Sequence, residues 1–151
     1  MKALVIYDST YGNTEKVAQA IADGIGRDAR VLHVKQATAA DVQGTDLLVL
    51  GSPTVAFNAL PPVRAWLDGL PAQALAGKRV AAFDTRMHLP RWVFFARWAA
   101  PLLARRLRKL GGQLVGKPDG FFVVDREGPL ADGELARAQA WGAEVGRAAG
   151  G

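Results

Sequence analysis

Residues 4–25 read LVIYDSTYGNTEKVAQAIADGI, and the fold turns on how this stretch divides. The apolar run ALVIY (3–7) has strand length and stops at Asp8. From residue 14 to 26, Val17, Ala18, Ile21 and Ile25 recur at helical spacing. Between strand and helix lie Ser9, Thr10, Tyr11, Gly12, Asn13 and Thr14. A loop of small donors entering a helix start suits a phosphate monoester, because unpaired amides there converge on one point. Ser9, Thr10 and Thr14 add hydroxyls and Asn13 an amide, while Gly12 lets the chain come close. The loop has no lysine followed by Ser/Thr, so it is not a nucleoside-triphosphate loop, and it lacks the dinucleotide pattern G-x-G-x-x-G. A capped turn that binds nothing is the competing reading. The position directly after the first strand favours phosphate.

Outward from this stretch the pattern repeats. ARVLHV (29–34), DLLVLGS (46–52) and RVAAFDT (79–85) read as strands, the third apolar on both faces. Pro61 and Pro62 suit the first turn of a helix carrying Val63, Trp66, Leu67 and Leu70. Pro101 precedes Leu103, Leu107 and Leu110, and Gly111 is placed to stop that helix. QLV (113–115) and GFFVV (120–124) read as two parts of a fifth strand. A last helix over 132–147 puts Leu135, Ala138, Trp141 and Val145 in one apolar arc. The alternation predicts an α/β fold, a three-layer doubly wound sandwich around a parallel sheet, in a single domain over residues 1–151. Ligands then bind beyond the carboxyl ends of the strands, at residues 8–14, 52–60 and 84–92.

Composition narrows the chemistry. Half of the residues are hydrophobic and there is no cysteine, so thiolate metal sites and thiol nucleophiles are excluded. No metal site is expected. No run approaches the length of a membrane span, and the short apolar start meets Asp8 at once, so a cytoplasmic location is expected. The net charge of +5 is concentrated. Residues 1–84 carry eight basic and eight acidic residues, whereas 85–118 carry eight basic residues and no acid. That stretch reads either as a solvated helix face or as a surface for anionic partners. No nucleic-acid motif accompanies it, and no nucleic acid is expected.

The motif Val5-Ile6-Tyr7-x-Ser9-x-x-Gly12-x-Thr14-x-x-x-Ala18-x-x-Ile21 resembles the flavodoxin signature without a break. GSPT (51–54) at the end of the third strand and EGPLADGEL (127–135) are similar to the same family. The resemblance covers the whole chain and implies a five-stranded sheet of order 2-1-3-4-5 binding FMN without a covalent bond. It implies that Ser9, Thr10, Tyr11, Gly12, Asn13 and Thr14 hold the FMN phosphate. Ser52, Pro53, Thr54, Val55 and Phe57 would lie along the ribityl chain and ring, with Asp84, Thr85 and Arg86 in the matching loop after strand four. Lys16 is at most a distant contributor.

The chain departs from the family pattern in two loops. Flavodoxins that carry electrons usually place a glycine after strand three, where a peptide flips to meet the flavin N5 proton. Here the loop reads TVAFNALPP, and Asn58 is the residue best able to turn left-handed. Phe57 can face one side of the ring, and DTRMHLPRW offers Met87, His88 and Trp92 for the other. Where the family's carriers tend to be acidic near the flavin, Arg86, His88 and Arg91 stand in the loop expected to approach the ring, and the second electron is expected to be easier to add. A lone loop histidine such as His88 is more often a surface residue than a catalyst.

In LPRWVFFARWAAPLLARRLRKL (89–110) Trp92, Phe94, Phe95 and Trp98 interleave with Arg91 and Arg97. These aromatics either cover strands four and five as core, or form a lid over the flavin, or present a peripheral contact for a membrane quinone or partner protein. Three functions follow. The leading one is an FMN-binding electron carrier serving a redox partner protein. The second is an FMN-dependent oxidoreductase acting on a quinone or porphyrinogen, similar to the flavodoxin-type protoporphyrinogen oxidases. The third is a flavin-free binding module. In the leading reading no protein side chain acts as catalytic acid, base or nucleophile, no catalytic residue is assigned, and the chain is expected to be a monomer or weak dimer.

Overall fold

The computed structural model describes residues 1–150. Period-two alternation within each strand builds two cores, one on each side of a single sheet. The strands are β1 (Ala3–Tyr7), β2 (Ala29–His33), β3 (Leu47–Pro53), β4 (Arg79–Met87), β5 (Gln113–Leu114) and β6 (Asp119–Val123). All pairings among them are parallel, in the order β2-β1-β3-β4, with β5 and β6 both on the outer edge of β4. β5 pairs with Arg79 and Val80, and β6 pairs with residues from Phe83 to Met87. The interrupted fifth strand expected from the sequence is therefore present, and the order 2-1-3-4-5 holds.

Ala3, Val5 and Tyr7 of β1, Leu47 and Val49 of β3, and Ala81 and Phe83 of β4 face α1 (Asn13–Ile25). The short helix α2 (Ala39–Gln43) follows, started by a reciprocal cap between Thr38 and Asp41. Leu4, Ile6, Leu48, Leu50, Val80 and Ala82 face the opposite way. They pack against Val63 and Leu67 of α3 (Pro61–Asp68) and Leu103 and Leu107 of α4 (Ala99–Lys109). The last helix, α5 (Glu134–Gly150), joins α1 on the first side, where Ala138, Trp141 and Val145 complete that core. α1 and α5 cross in backbone contact, because a Cβ on Gly24 would overlap the Gln139 carbonyl and one on Gly142 would overlap that of Ile21.

Two sequence expectations need correction. Leu135 does not join the apolar arc of α5; it is 44% exposed on the rim of a surface groove shared with Glu15, Gln19 and Gln139. The neighbouring Glu134 is the buried residue instead, accepting a 2.7 Å bond from the Phe122 amide and paired with Arg137. The aromatics of 89–110 are not core either. Trp92, Phe94 and Phe95 are 72%, 89% and 59% exposed, because that core is already closed by Leu103 and Leu107 of α4. α2 passed unseen in the sequence, since five residues are too few to show a helical period.

Candidate functional site: a phosphate cradle and cleft at the strand ends

The chain leaves β1 for β2 on one side and reaches β3 on the other, so the carboxyl ends of β1 and β3 flank the point where strand order reverses. A cavity of about 350 Å³ opens there, within the size range of small-molecule sites. Four segments line it: Ser9, Thr10, Tyr11, Asn13 and Thr14 after β1, residues 53–56 and Leu60 after β3, Thr85 to Met87 at the end of β4, and Val123 and Arg126 at the end of β6.

The first loop is organised so that helix amides stay free. Gly12 precedes α1 with φ 90°, a left-handed conformation that favours glycine, and no side chain caps the helix. The first intrahelical bond runs from the Lys16 amide to the Gly12 carbonyl, which leaves the amides of Asn13, Thr14 and Glu15 without helical partners. The loop's own needs are met internally. The Ser9 amide donates to Asp8 Oδ1 at 2.8 Å, and the Gly12 amide donates to Ser9 Oγ at 2.9 Å. That second bond uses Ser9 Oγ as an acceptor and keeps its proton available to a ligand. Asn13 Nδ2 donates to the Glu127 carbonyl at 3.2 Å, tying the helix start to the loop after β6. Thr14 Oγ1 lies 2.8 Å from Thr85 Oγ1, both residues buried.

Asp8 is fixed from a second direction. His33 Nε2 lies 2.9 Å from Asp8 Oδ1, while His33 Nδ1 accepts the Lys35 amide at 3.1 Å. With Nδ1 accepting, the proton sits on Nε2 and points to Asp8. Neither Asp8 nor His33 was singled out from the sequence; a lone histidine on a second strand carries no signal until the strand order is known.

The second loop is held by Ser52. Its hydroxyl accepts the Leu60 amide and donates to the Pro53 carbonyl, each at 2.9 Å, and the residue is fully buried. Ser52 therefore shapes the loop without lining the cavity. Val55 and Asn58 exchange two backbone bonds across a tight turn whose central residues, Ala56 and Phe57, have φ of 50° and 61°. Asn58 is not the left-handed residue. Its side chain instead accepts the Ala59 amide at 2.8 Å. Two L-residues in this region imply stored strain of about 1–2 kcal/mol each. Phe57 lies outside the cavity lining and meets Phe95 edge-on, ring centroids 6.3 Å apart.

The stretch expected as a loop from residue 84 is still strand as far as Met87, paired on one edge with β3 and on the other with β6. There Asp84 is fully buried, and Arg86 grips it through Nε and Nη2, each 2.7 Å from a carboxylate oxygen. The Ala100 amide adds a third bond at 2.9 Å. Burial pushes the Asp84 carboxyl above its ordinary range, opposed by Arg86. Arg86 lies 4.4 Å over the Trp98 ring and reaches the cavity wall, whereas Asp84 lies beneath it. The Arg86 charge is thus largely balanced. His88 stacks on Phe122 at 3.7 Å, and neither it nor Arg91 lines the cavity. The cavity's other cation is Arg126, which forms no ion pair among the described residues. Arg126 and Val123 lie outside the three strand-end stretches that the sequence points to, although 127–135 resembles a family segment just beyond Arg126; Ala56 and Leu60 fall within 52–60 without being marked individually.

A helix start with free amides, at the reversal point of a doubly wound sheet and open to one cleft, is an arrangement that suits the phosphate of a mononucleotide. The flavodoxin family profile matches residues 5–141. A flavodoxin of Aquifex aeolicus is 47% identical over 57 residues, covering 35% of this chain and 31% of that protein. One of Clostridium saccharobutylicum is 29% identical over 89 residues, covering 56% of each. The chain thus aligns with about a third and just over half of these two relatives. The solved structure of a flavodoxin from the domain Archaea superposes over 100% of both chains with a TM-score of 0.81 at 23% identity, a likeness of fold. The chain belongs to the flavodoxin family. FMN is the cofactor of that family, and the uncapped amides of α1 beside the hydroxyls of Ser9, Thr10 and Thr14 fit its phosphate.

Proposed function

We propose that this chain acts as a single-domain FMN-binding electron carrier, passing electrons between redox partners. The observation that carries the reading is the uncapped start of α1 facing a cavity of about 350 Å³. The phosphate would rest on the amides of Asn13 and Thr14, with hydroxyl donors from Ser9, Thr10 and Thr14. Pro53, Thr54, Val55, Ala56 and Leu60 would flank the rest of the nucleotide on one side, and Thr85, Arg86 and Met87 on the other. Bound there, FMN supplies the one- and two-electron chemistry, and the protein sets its potential through nearby charge and solvent access. Arg86, neutralised by Asp84, would add little positive field; Arg126 would supply more. Among the described residues no cluster of side chains could hold a metal ion.

A second reading, an FMN-dependent reductase or oxidase of quinones, is favoured by the exposed aromatic loop beside the cavity. Titration with FMN and, in parallel, riboflavin tests the site. Uptake of FMN at least about tenfold tighter than riboflavin is expected, and absence of FMN uptake would leave only a flavin-free binding module. Photoreduction that halts at a one-electron stage supports the carrier. Turnover of a soluble quinone with NAD(P)H supports the enzyme.

A further inference from the structure

The segment 88–98 is anchored at both feet and exposed between them. At its start His88 stacks on Phe122. At its end Trp98 lies under Arg86, the Ala99 amide donates to Thr54 Oγ1 at 2.9 Å, and the Ala100 amide donates to Asp84. Two successive turns, closed by bonds from Val93 to Pro90 and from Ala96 to Val93, carry the chain between these anchors. Trp92, Phe94 and Phe95 are exposed on it. Phe94 meets Phe95 edge-on at 5.9 Å, and Phe95 meets Phe57, so the apolar run continues to the turn that borders the flavin cavity.

Beside Phe57 a second cleft, of about 280 Å³, is lined by Arg64, Arg97, Arg105 and Arg106. Only Arg106 of these four is ion-paired among the described residues, to Asp68. No acidic residue occurs between Asp84 and Asp119. An aromatic ridge next to a cleft of arginines is what a phospholipid surface demands: rings at the level of the acyl boundary, guanidinium groups at the phosphates.

We propose that this face docks the protein on an anionic lipid bilayer, with Trp92, Phe94 and Phe95 entering the interface and Arg64, Arg97 and Arg105 engaging lipid phosphates. A bilayer is favoured over an acidic protein because Trp92, Phe94 and Phe95 are exposed and line neither the cavity nor the arginine cleft. A fluid surface accommodates such a ridge, whereas a protein partner would need a matching slot. Phe95 touches Phe57 on the turn whose Val55 and Ala56 line the cavity, so docking through this ridge sets that rim near the lipid, where a quinone-type acceptor dissolves; that last clause rests on the FMN reading, and the docking itself does not.

Sedimentation with vesicles of phosphatidylcholine, with and without phosphatidylglycerol, tests the docking at low and at physiological ionic strength. Retention on the anionic vesicles, weakened but not abolished by salt, is expected. A Trp92→Ser/Phe94→Ser/Phe95→Ser variant should bind at least about tenfold more weakly. Arg97→Glu/Arg105→Glu should lose about fivefold or more per charge. No retention on anionic vesicles at low ionic strength overturns the proposal. So does equal retention of the serine variant, which would reduce the effect to adsorption of a basic protein. Capture on immobilised polyglutamate without vesicle binding overturns it too, and assigns the face to an acidic protein partner. An FMN titration on the same samples separates the two readings: FMN uptake without vesicle binding sinks the docking alone, and vesicle binding without FMN uptake upholds it.

Discussion

The hydroxyls of Thr14 and Thr85 meet at 2.8 Å inside the protein, joining the start of α1 to the end of β4 across the mouth of the cavity. Each hydroxyl has one proton, so when one donates to the other, the second proton remains free for a ligand. Thr14→Val keeps the shape and removes one partner. It should weaken FMN binding by about tenfold while changing riboflavin binding much less, since the loss is at the phosphate, and it should cost about 1 kcal/mol of stability. Parallel fluorescence titrations with both flavins check this; equal losses for both would place the effect on the fold instead.

The Asp84–Arg86 pair supports a second prediction. Asp84→Asn leaves a largely buried guanidinium without its counter-charge, which should cost about 3 kcal/mol in urea unfolding. In FMN-loaded protein the uncompensated Arg86 charge should move the second-electron midpoint potential in the positive direction. Spectroelectrochemistry reads that shift, and an unchanged potential would mean that Arg86 does not act on the flavin. The sequence shows an arginine in this stretch but not its neutralisation. The two residues stand two apart on β4 and so share the face that α4 covers; the spacing allows their contact, and the burial of Asp84 beneath the Ala100 amide supplies the need for it.

The turn at Ala56 and Phe57 should be improvable. Asn and Gly adopt the left-handed region at lower cost than Ala and Phe. The double variant Ala56→Asn/Phe57→Gly should gain about 1 kcal/mol of stability, measured as a rise in thermal midpoint. A fall would show that the Phe57–Phe95 contact outweighs the backbone strain.

Acid stability should depend on Glu134. Its hydrogen bond from Arg137 holds the carboxyl below the ordinary range, with the Phe122 amide acting in the same direction. A depressed folded value contributes stability above the unfolded value, about 4.3, and that contribution is lost as pH falls through the folded one. Glu134→Gln should flatten this acid limb and cost about 1 kcal/mol at neutral pH, given that Arg137 is partly exposed. Asp84 acts in the opposite sense, since a raised carboxyl loses its contribution as pH rises, so the comparison must be between parent and variant. Urea unfolding across the acid range measures it; identical slopes would exclude Glu134.

The sequence by itself determined the succession of the strands and of the four longer helices, and the position of the donor-rich loop that enters α1. Both are local: apolar period, Gly12, the donors of 9–14 and the helix that follows occupy one continuous stretch. It placed Ser9, Thr10, Tyr11, Asn13, Thr14, Pro53, Thr54, Val55, Thr85 and Arg86 at strand ends that do line one cavity. Tertiary structure alone decided that Ser52 and Asp84 hold loops from beneath, that Arg126 arrives from the end of β6, and that Trp92, Phe94 and Phe95 face outward. Burial and charge pairing depend on what packs over a residue from distant parts of the chain, and no period along the chain encodes that.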